Sequence, residues 1–339
     1  MLYMVADDMR PEWTAYCPSC AVITPNLDKL AATGLLFTRA YCQQSICGPS
    51  RNSFMSGRRP DTTLTYNFRD NFRTSPMHGG GKNWVALPEY FKNAGYDTRG
   101  SGKMYHDNSP PNADLPRSWN EYIPAKYPPA YGNQAYLVCC KQPINTSGNP
   151  AKPCYGGDAF GNSGGGFCRV DNEEALFDYV QANRTIELLR NWTKGKKAHP
   201  ASQAPFFYAV GWKMPHAPFG APSHSYDLYE PISKRVPLAA NRYRPRNAPN
   251  IALITDFFLR NGTDTLENGH VWGPDRPVED YVARLNRQAY YAAVTYTDEQ
   301  IGRVLNELDA LGLTKDTLVI MHADRTLPCF FQYIPLLFH

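Results

Sequence analysis

Short apolar runs alternate with amphipathic stretches along the chain, and this pattern predicts its secondary structure. The apolar runs that predict buried strands lie at residues 1–6, 35–38, 96–98, 206–210 and 317–321. Apolar residues at helical spacing predict helices over residues 24–34, 87–94, 173–192 and 282–311. In the first of these helices, Thr24-Pro25 predicts the start and Gly34 the end. The alternation predicts an α/β fold, with a mostly parallel sheet sandwiched by helices.

Residues 109–172 interrupt this alternation, because Pro, Gly, Asn and Cys replace the periodic apolar positions. A loop of this length in a compact domain is usually functional or an insertion. The range holds four of the nine cysteines, and a disulfide among them would help to hold the loop: Cys139, Cys140, Cys154 and Cys168. We therefore predict a long loop insertion here.

Composition and charge narrow the class of protein. The 339 residues are 42% hydrophobic and 19% charged, which is typical of a globular chain with one large α/β domain or two smaller ones. The net charge of +4 is too small to predict a nucleic-acid partner. It is compatible with an anionic substrate, or simply with a mildly basic surface. No apolar run approaches the ~18 residues of a membrane span.

Cysteines and glycosylation sequons bear on the compartment. Nine cysteines are many for a cytosolic enzyme, and four N-x-S/T sequons occur, at Asn145, Asn183, Asn191 and Asn261. Together they favour a lysosomal or secreted protein. No signal peptide is recognisable, because the run at residues 1–6 is too short for one and fits a core strand better. Cys17 and Cys20 have the spacing of a redox or zinc element, but without a second pair we predict a loop disulfide or an incidental pair.

Acidic residues follow two of the predicted strands. Asp7 and Asp8 come directly after residues 1–6, and Asp324 follows the strand at 317–321. Ligands bind beyond the carboxyl ends of parallel strands, so these carboxylates could form a site for a hard divalent cation such as Ca²⁺ or Mg²⁺. Aspartates at strand ends also commonly cap turns or helices, and this alternative applies to each of them taken alone.

Residues 47–51 read Cys-Gly-Pro-Ser-Arg, and residues 56–58 read Ser-Gly-Arg. This arrangement resembles the signature C-x-P-S-R…[ST]-G-R of the type I sulfatases. The resemblance implies an alkaline-phosphatase-like fold and a cysteine that a maturation enzyme oxidises to formylglycine. The alternative is a buried structural cysteine at the start of a helix, and the Asp-Asp pair upstream makes it the poorer explanation.

The resemblance implies roles for single residues. Cys47, as formylglycine, would attack sulfur, and Arg51 would lie one helical turn further on the same face. Residues 102–106 resemble the G-K-x-x-H element, with a lysine on the sulfate and a histidine beside the formylglycine hydroxyls. Residues 213–219 resemble K-P-H-x-P-F, whose histidine is a candidate general acid for the leaving alcohol. The catalytic residues predicted in this way are Cys47, Arg51, Lys103, His106 and His216.

The resemblance also implies a cofactor and partners. One Ca²⁺ ion would be held by Asp7, Asp8, Asp324 and the modified Cys47. The substrate would be a sulfated saccharide, and the protein partner would be the formylglycine-generating maturation enzyme. Neither a nucleic acid nor a membrane span is expected.

Within the family, the chain most resembles the iduronate-2-sulfatase subgroup, on the Cys-Gln-Gln at residues 42–44 and on residues 58–63. This subgroup implies a 2-O-sulfated uronic acid of a glycosaminoglycan as substrate, although relatives with the same motifs cleave other sulfated sugars. The sugar pocket could be lined by three residues that could equally be packing residues: Tyr66, Asn67 and Arg69.

The resemblance ends after Asp324. The family pattern continues D-H-G or D-N-G, with a lysine further on, whereas this chain has Arg325, whose positive charge is wrong for a metal ligand. We therefore predict a sulfatase catalytic domain over residues 1–324 and an aberrant tail over 325–339, from truncation or a gene-model error, with the C-terminal part of the family fold missing. Two alternatives stay open: a truncated, non-catalytic pseudo-sulfatase, and a phosphoesterase or phosphonate hydrolase of the same superfamily.

Overall fold

The computed structural model describes residues 1–75, 80–106, 109–124, 167–170, 173–198, 203–217, 219–243, 280–325 and 336–338. The chain divides into two compact units. The first comprises Met1–Pro129, Glu174–His216 and Thr297–His339, and the second comprises Ala130–Glu173 and Ala217–Tyr296. Every residue predicted to form the site belongs to the first unit.

The strands, in chain order, are β1 (Leu2–Ala6), β2 (Leu35–Phe37), β3 (Asp97–Gly102), β4 (Glu121–Pro124), β5 (Phe167–Val170), β6 (Phe206–Gly211), β7 (Phe219–Pro222), β8 (Val319–Ala323) and β9 (Leu336–Phe338). Seven of them form one sheet in the first unit, in the order β2-β9-β8-β1-β6-β3-β4. From β8 to β4 the strands are parallel, whereas β9 pairs antiparallel with both β2 and β8. β5 and β7 pair in parallel in the second unit. The predicted mostly parallel sheet is confirmed.

The helices, in chain order, are α1 (Pro25–Thr33), α2 (Cys47–Ser56), α3 (Pro60–Thr63), α4 (Leu87–Asn93), α5 (Phe177–Ala198), α6 (Ser223–Asp227), α7 (Ile232–Arg235) and α8 (Asp280–Ala310). Single 3-10 turns lie at Phe72–Thr74, Gly81–Asn83, Pro111–Asp114, Glu173–Ala175 and Thr314–Asp316. α4 packs against β3, and α5 packs against β3 and β6, so helices flank the sheet as predicted. Among the residues described, no helix is long and apolar enough to cross a membrane.

One face of the sheet in the first unit packs into an apolar core, because alternate side chains of a strand point to the same side. Tyr3 and Val5 of β1 and Phe207 of β6 belong to it, and Phe91 of α4 stacks on Phe207 with ring centroids 4.6 Å apart. The core also includes Met55, Phe72, Ala86, Met104, Tyr105, Trp119, Tyr122, Ala209 and Ile320. It fixes the central strands whose carboxyl ends carry the site.

Helix α1 starts at Pro25 with Thr24 in the N-cap position, as predicted, but another residue satisfies its first N–H groups. The side chain of Thr24, the predicted N-cap, makes no capping hydrogen bond. Instead the carboxylate of Asp298 in α8 accepts from the backbone N–H groups of Asn26 (3.1 Å) and Leu27 (2.7 Å). An acceptor on another helix satisfies the same free N–H groups that a local cap would. The predicted start of the helix is confirmed, but the acceptor for its first N–H groups lies 271 positions from Leu27, where no local pattern could indicate it.

The predicted loop over residues 109–172 is described only at its two ends. β4 lies in its first part, at the edge of the sheet, and β5 in its last. The loop prediction does not anticipate these strands, because each is four residues long and carries little periodicity. Within this range, four positions named above lie outside the described residues: Cys139, Cys140, Cys154 and Asn145. The side chain of Cys168 is not described either.

Three smaller predictions concern the remaining cysteines, the sequons and the tail. Cys17 and Cys20 form the loop disulfide. Asn183 and Asn191 lie on α5, whereas Asn261 is outside the described residues. β9 falls within residues 325–339, and its pairing with β2 and β8 makes this part of the tail a member of the sheet. The domain boundary at residue 324 stays a prediction.

Candidate active site

The carboxyl ends of β1 and β8 bring three aspartates together. The two strands are parallel neighbours with Ala6 opposite Ala323, so Asp7, Asp8 and Asp324 leave the sheet at the same edge. The backbone N–H of Asp8 donates to Asp324 Oδ1 (3.1 Å). One carboxylate oxygen from each aspartate lies within 4.8 Å of the others. Asp8 has a φ of 65°, a left-handed conformation that aspartate tolerates better than most residues.

Helix α2 places Cys47 and Arg51 at this edge. Cys47 is the first residue of the helix, and both side chains are fully buried. The Arg51 guanidinium donates from Nε to Asp324 Oδ2 (3.0 Å) and from Nη2 to Asp7 Oδ1 (3.2 Å). Its Nη1 donates to the backbone carbonyl of Lys103. One arginine therefore contacts two buried carboxylates, and it lies on the same face of the helix as Cys47, as the one-turn spacing predicts.

Lys103 reaches the site because two glycines let the ends of β3 and β6 meet. The N–H of Lys103 donates to the carbonyl of Gly211 (2.9 Å), and Gly102 has a φ of 74°, which favours glycine. A Cβ on Gly102 would lie 2.1 Å from the Gly211 carbonyl oxygen, so no side chain fits there. Lys103 Nζ then contacts Asp7 Oδ2 and lies 3.9 Å from Cys47 Sγ.

Arg325, which departs from the sulfatase pattern, lies in the same cluster. Its Nε and Nη2 atoms are 3.2 and 3.1 Å from Cys47 Sγ. Its Nη2 is also 2.8 Å from Asp8 Oδ1 and 3.0 Å from Asp8 Oδ2. Around the thiol, the side chains that carry formal charge are Arg51, Lys103, Arg325, Asp7, Asp8 and Asp324. We call this set the charge cluster.

His216 approaches the charge cluster from the turn after β6. Its Nε2 lies 3.8 Å from Asp8 Oδ2. A ring nitrogen also lies within 4.8 Å of both Cys47 Sγ and a carboxylate oxygen of Asp7. The structure therefore brings the predicted general acid to the predicted nucleophile, although 169 positions separate His216 from Cys47 (216 − 47 = 169).

Asp178, at the start of α5, supports the turn that carries His216. Its buried carboxylate accepts from the backbone N–H groups of Lys213 (2.7 Å) and Met214 (2.9 Å). Burial raises the pKa of Asp178 to about 7, and these two hydrogen bonds offset part of that effect. Asp178 was not predicted from the sequence, because no local pattern links it to a turn 35 residues later.

Asp178→Ala is expected to lower the free energy of unfolding by about 2–4 kcal/mol, because it leaves two buried N–H groups without an acceptor. Asp178→Asn keeps one acceptor oxygen and is expected to cost about half as much. Urea denaturation measures both changes. The control is Asp309→Ala, which removes an exposed carboxylate and is expected to shift the unfolding free energy by less than about 0.5 kcal/mol. An equal cost for Asp178→Ala and the control would contradict this supporting role.

The structure places His106 beside the loop that follows α3. The His106 ring stacks on Phe68 with centroids 4.5 Å apart. Phe68 also lies against Gly48, the residue after Cys47, because a Cβ on Gly48 would be 3.2 Å from Phe68 Cδ1. Phe68 was not predicted from the sequence, since it belongs to no motif. The side chains of the predicted sugar-pocket residues are exposed, which is compatible with a pocket and argues against core packing: Tyr66, Asn67 and Arg69.

Burial and charge shift the carboxylate pKa values in opposite directions. Burial alone would raise the pKa of Asp7, but Lys103, His216 and Arg51 together hold it well below its usual range. Burial and the neighbouring carboxylates raise the pKa of Asp8, and its arginine partner offsets only part of that effect. The effect of the positive side chains on the pKa therefore outweighs that of burial at Asp7 but not at Asp8.

The Cys47 thiol is a poor nucleophile where it lies. Burial raises its pKa to about 12, Asp7 and Asp324 act in the same direction, and Lys103 and Arg325 offset part of the effect. The thiol is therefore protonated at neutral pH, whereas a reactive cysteine needs a thiolate.

The three carboxylates offer the oxygen donors that a hard divalent cation such as Ca²⁺ requires. The guanidinium of Arg325, however, contacts both carboxylate oxygens of Asp8. The residues present therefore suit the ion in their chemistry, but their arrangement does not fit it while Arg325 holds this position.

Comparisons with known proteins agree with the motifs. The family model described as Sulfatase matches residues 1–329. Iduronate 2-sulfatase of Mus musculus is 33% identical over 331 residues, which cover 96% of this chain and 54% of that protein. The chain thus spans about half the length of this relative. The predicted resemblance to the iduronate-2-sulfatase subgroup is confirmed.

Solved structures share the fold. Phosphonate monoester hydrolase of Agrobacterium radiobacter has a TM-score of 0.60 at 20% identity, over 99% of this chain and 67% of that one. A protein solved in complex with its substrate D-glucosamine-2-N,6-O-disulfate has a TM-score of 0.63 at 17% identity, over 100% and 70% of the two chains. At these identities the likeness concerns the fold alone, and the alkaline-phosphatase-like α/β prediction is confirmed.

Proposed function

The chain belongs to the sulfatase family, and on that basis we propose that it is a sulfuric ester hydrolase whose nucleophile is a formylglycine made from Cys47. Proteins of this family generally use a metal ion and a formylglycine residue. The observation that carries the proposal is the convergence of Cys47, Arg51 and Lys103 at one buried point. A buried site with positive side chains around the nucleophile suits an anionic ester.

The chemistry explains why a modified cysteine is needed. A sulfate ester repels nucleophiles, and the protonated Cys47 thiol is a weak one. The hydrate of an aldehyde carries two hydroxyls on one carbon. One hydroxyl oxygen would attack sulfur, with its proton passing to His106, while the bond from sulfur to the alcohol oxygen breaks. The second hydroxyl then loses its proton as the bond from carbon to the sulfate oxygen breaks, which restores the aldehyde and releases sulfate.

The neighbouring side chains supply charge and protons in this proposal. Arg51 and Lys103 neutralise the sulfate oxygens, and Lys103 Nζ lies 3.9 Å from Cys47 Sγ. His216, within 4.8 Å of that sulfur, protonates the leaving alcohol. His106 is proposed to move protons at the hydrate hydroxyls.

For the metal ion we propose Ca²⁺, with Asp7, Asp8, Asp324 and the modified Cys47 as its ligands. When bound, the ion would add positive charge at the sulfate and the nucleophile. The contact of Arg325 with Asp8 must open before the ion can bind. This contact also favours a second candidate function, in which the chain binds sulfated saccharides without hydrolysing them.

The substrate and the setting are proposed from the relatives. We propose a 2-O-sulfated uronic acid of a glycosaminoglycan, because the relative from Mus musculus is an iduronate 2-sulfatase. The formylglycine-generating enzyme would be the maturation partner, and the protein would be lysosomal or secreted. The catalytic domain would span residues 1–324, and residues 325–339 would form the aberrant tail.

Mass spectrometry of one tryptic peptide tests the proposal. Cleavage after Arg39 and Arg51 releases residues 40–51, which carry Cys42 as an internal control beside Cys47. After expression with the maturation enzyme, we expect a lower peptide mass and a hydrazine-reactive carbonyl at Cys47, with Cys42 still a thiol. Unmodified Cys47, in a host that converts a control sulfatase, would contradict the proposal.

Substrate profiling of the converted protein separates the remaining alternatives. We expect sulfate release from a 2-O-sulfated uronate disaccharide and little cleavage of a phosphonate monoester. The reverse preference would indicate a phosphonate hydrolase. Binding of the disaccharide without sulfate release would indicate the non-catalytic candidate.

A further inference from the structure

Arg325 lies in the site and contacts two of its side chains. The residue is 9% exposed, and its guanidinium joins Asp8 to Cys47. A single nitrogen, Nη2, lies within 3.1 Å of both Asp8 oxygens and of Cys47 Sγ. A charge-assisted hydrogen bond of this kind is stronger than a neutral one, so the contact holds the side chain in the charge cluster.

The position of this nitrogen is incompatible with a divalent ion on Asp8. Calcium takes carboxylate oxygens at about 2.3–2.6 Å, in a shell of six to eight oxygens. Nη2 bridges the two oxygens of Asp8, so an ion bound to both of them would need the side of the carboxylate that Nη2 occupies. The other two carboxylates remain paired with Arg51, which contacts Asp7 and Asp324. Asp8 is therefore where the arginine and an ion compete.

The charge balance leads to the same conclusion. Three cationic side chains and three carboxylates give the charge cluster a formal charge of zero with every group ionised and with the neighbouring His216 left out of the count. A divalent ion added to this set would leave two uncompensated positive charges in a buried site, which is unfavourable. Without Arg325 the cluster carries one negative charge, and an ion changes it to one positive charge. A sulfate ester monoanion would then neutralise it.

We propose that Arg325 is an internal cation that takes the place of the divalent metal ion in this chain. It neutralises Asp8 and lies against the nucleophile position, and an ion binds only when the arginine is displaced. This inference rests on the proposed function only in taking Asp7, Asp8 and Asp324 as the metal ligands. It requires neither formylglycine at Cys47 nor sulfate release.

Calcium titration of the full chain tests the inference. Isothermal titration calorimetry compares the wild type with Arg325→Asn, both with Cys47 as the thiol. We expect Arg325→Asn to bind Ca²⁺ at least about 100-fold more tightly, because a buried charge pair no longer competes. The control is Arg10→Asn, which removes the same charge from a partly exposed pair with Glu12 and is expected to leave the affinity unchanged.

A second pair of variants locates the ion and guards against misfolding. Asp8→Asn combined with Arg325→Asn is expected to lose the gained affinity, because it removes a charged ligand. Arg325→Lys keeps a positive charge but has fewer donors, so we expect its affinity for Ca²⁺ to lie between those of the wild type and Arg325→Asn. If Arg325→Asn folds poorly, Arg325→Lys still tests the inference by binding Ca²⁺ more tightly than the wild type. Calcium should also raise the Tm of Arg325→Asn more than that of the wild type.

Two results would overturn the inference. One is wild-type protein that binds Ca²⁺ as tightly as Arg325→Asn, since the arginine would then not compete. The other is the finding that Arg325→Asn and Arg325→Lys both remain folded but bind no Ca²⁺. The carboxylates would then form no cation site. Because Cys47 is unconverted in these titrations, failure of the proposed sulfatase activity leaves them unaffected.

Discussion

Arg51→Ala is expected to lower the free energy of unfolding by about 3–5 kcal/mol and to abolish sulfate release by the converted protein. The fully buried guanidinium donates to Asp7 and Asp324, and its removal leaves two buried carboxylates with too little positive charge around them. The backbone carbonyls of Lys103 and Met104 lose a donor as well. Because a domain is stable by only about 5–15 kcal/mol, this loss is a large share of the total.

Chemical denaturation in calcium-free buffer measures the cost, and Arg190→Ala is the matched control. Arg190 also makes a two-nitrogen pair with one carboxylate, Glu307, but on the surface, where such pairs contribute about 0–1 kcal/mol. Arg51→Lys keeps the charge but has a single ammonium, so it is expected to recover only part of the stability. A cost for Arg51→Ala no larger than for the control would show that the cluster does not depend on this arginine.

Gly102→Ala is expected to cost about 3 kcal/mol or more of unfolding free energy and to displace Lys103 from the site. Its φ of 74° disfavours a side chain, and the added Cβ would lie 2.1 Å from the carbonyl oxygen of Gly211. Backbone atoms cannot swing away as a flexible side chain can, so β3 and β6 must separate. The contact of Lys103 Nζ with Asp7 would then be lost.

The variant Gly312→Ala separates the cost of the backbone strain from the cost of the clash between the added Cβ and the neighbouring strand. Gly312 has a nearly identical φ of 71°, but no atom lies within 4 Å of the place that a Cβ would occupy there, so only the backbone strain remains, at about 1 kcal/mol. Thermal or urea unfolding of the two variants gives the difference, which is the cost of the close approach of the strands. Equal costs for the two variants would contradict the argument that this approach positions Lys103.

The central strands could be predicted because their burial leaves a continuous apolar run. Residues 1–6, 206–210 and 317–321 became β1, β6 and β8 with ends shifted by one or two residues. Strands enclosed on both faces carry this signal in their own sequence. β4 could not be predicted, since a four-residue edge strand carries too little periodicity and depends on β3 for its pairing.

The motif residues could be predicted for a related reason. Cys47 and Arg51 are one helical turn apart, Asp7 and Asp8 come directly after a predicted strand, and Asp324 follows another by three positions. Both relations depend on local order along the chain, and parallel strands bring their carboxyl ends to one edge. The chain's own residues thus determined which chemical groups would meet.

Only the folded structure decided which distant groups the charged side chains of Arg325, Asp178 and Asp298 contact. Arg325 lies on Asp8 across 317 positions, Asp178 supports the His216 turn across 35, and Asp298 caps α1 across 271. The strength of such pairs depends on distance and burial, and no local pattern encodes either. A residue that the sequence marked only as a departure from a motif therefore became, through its position, a partner of the nucleophile.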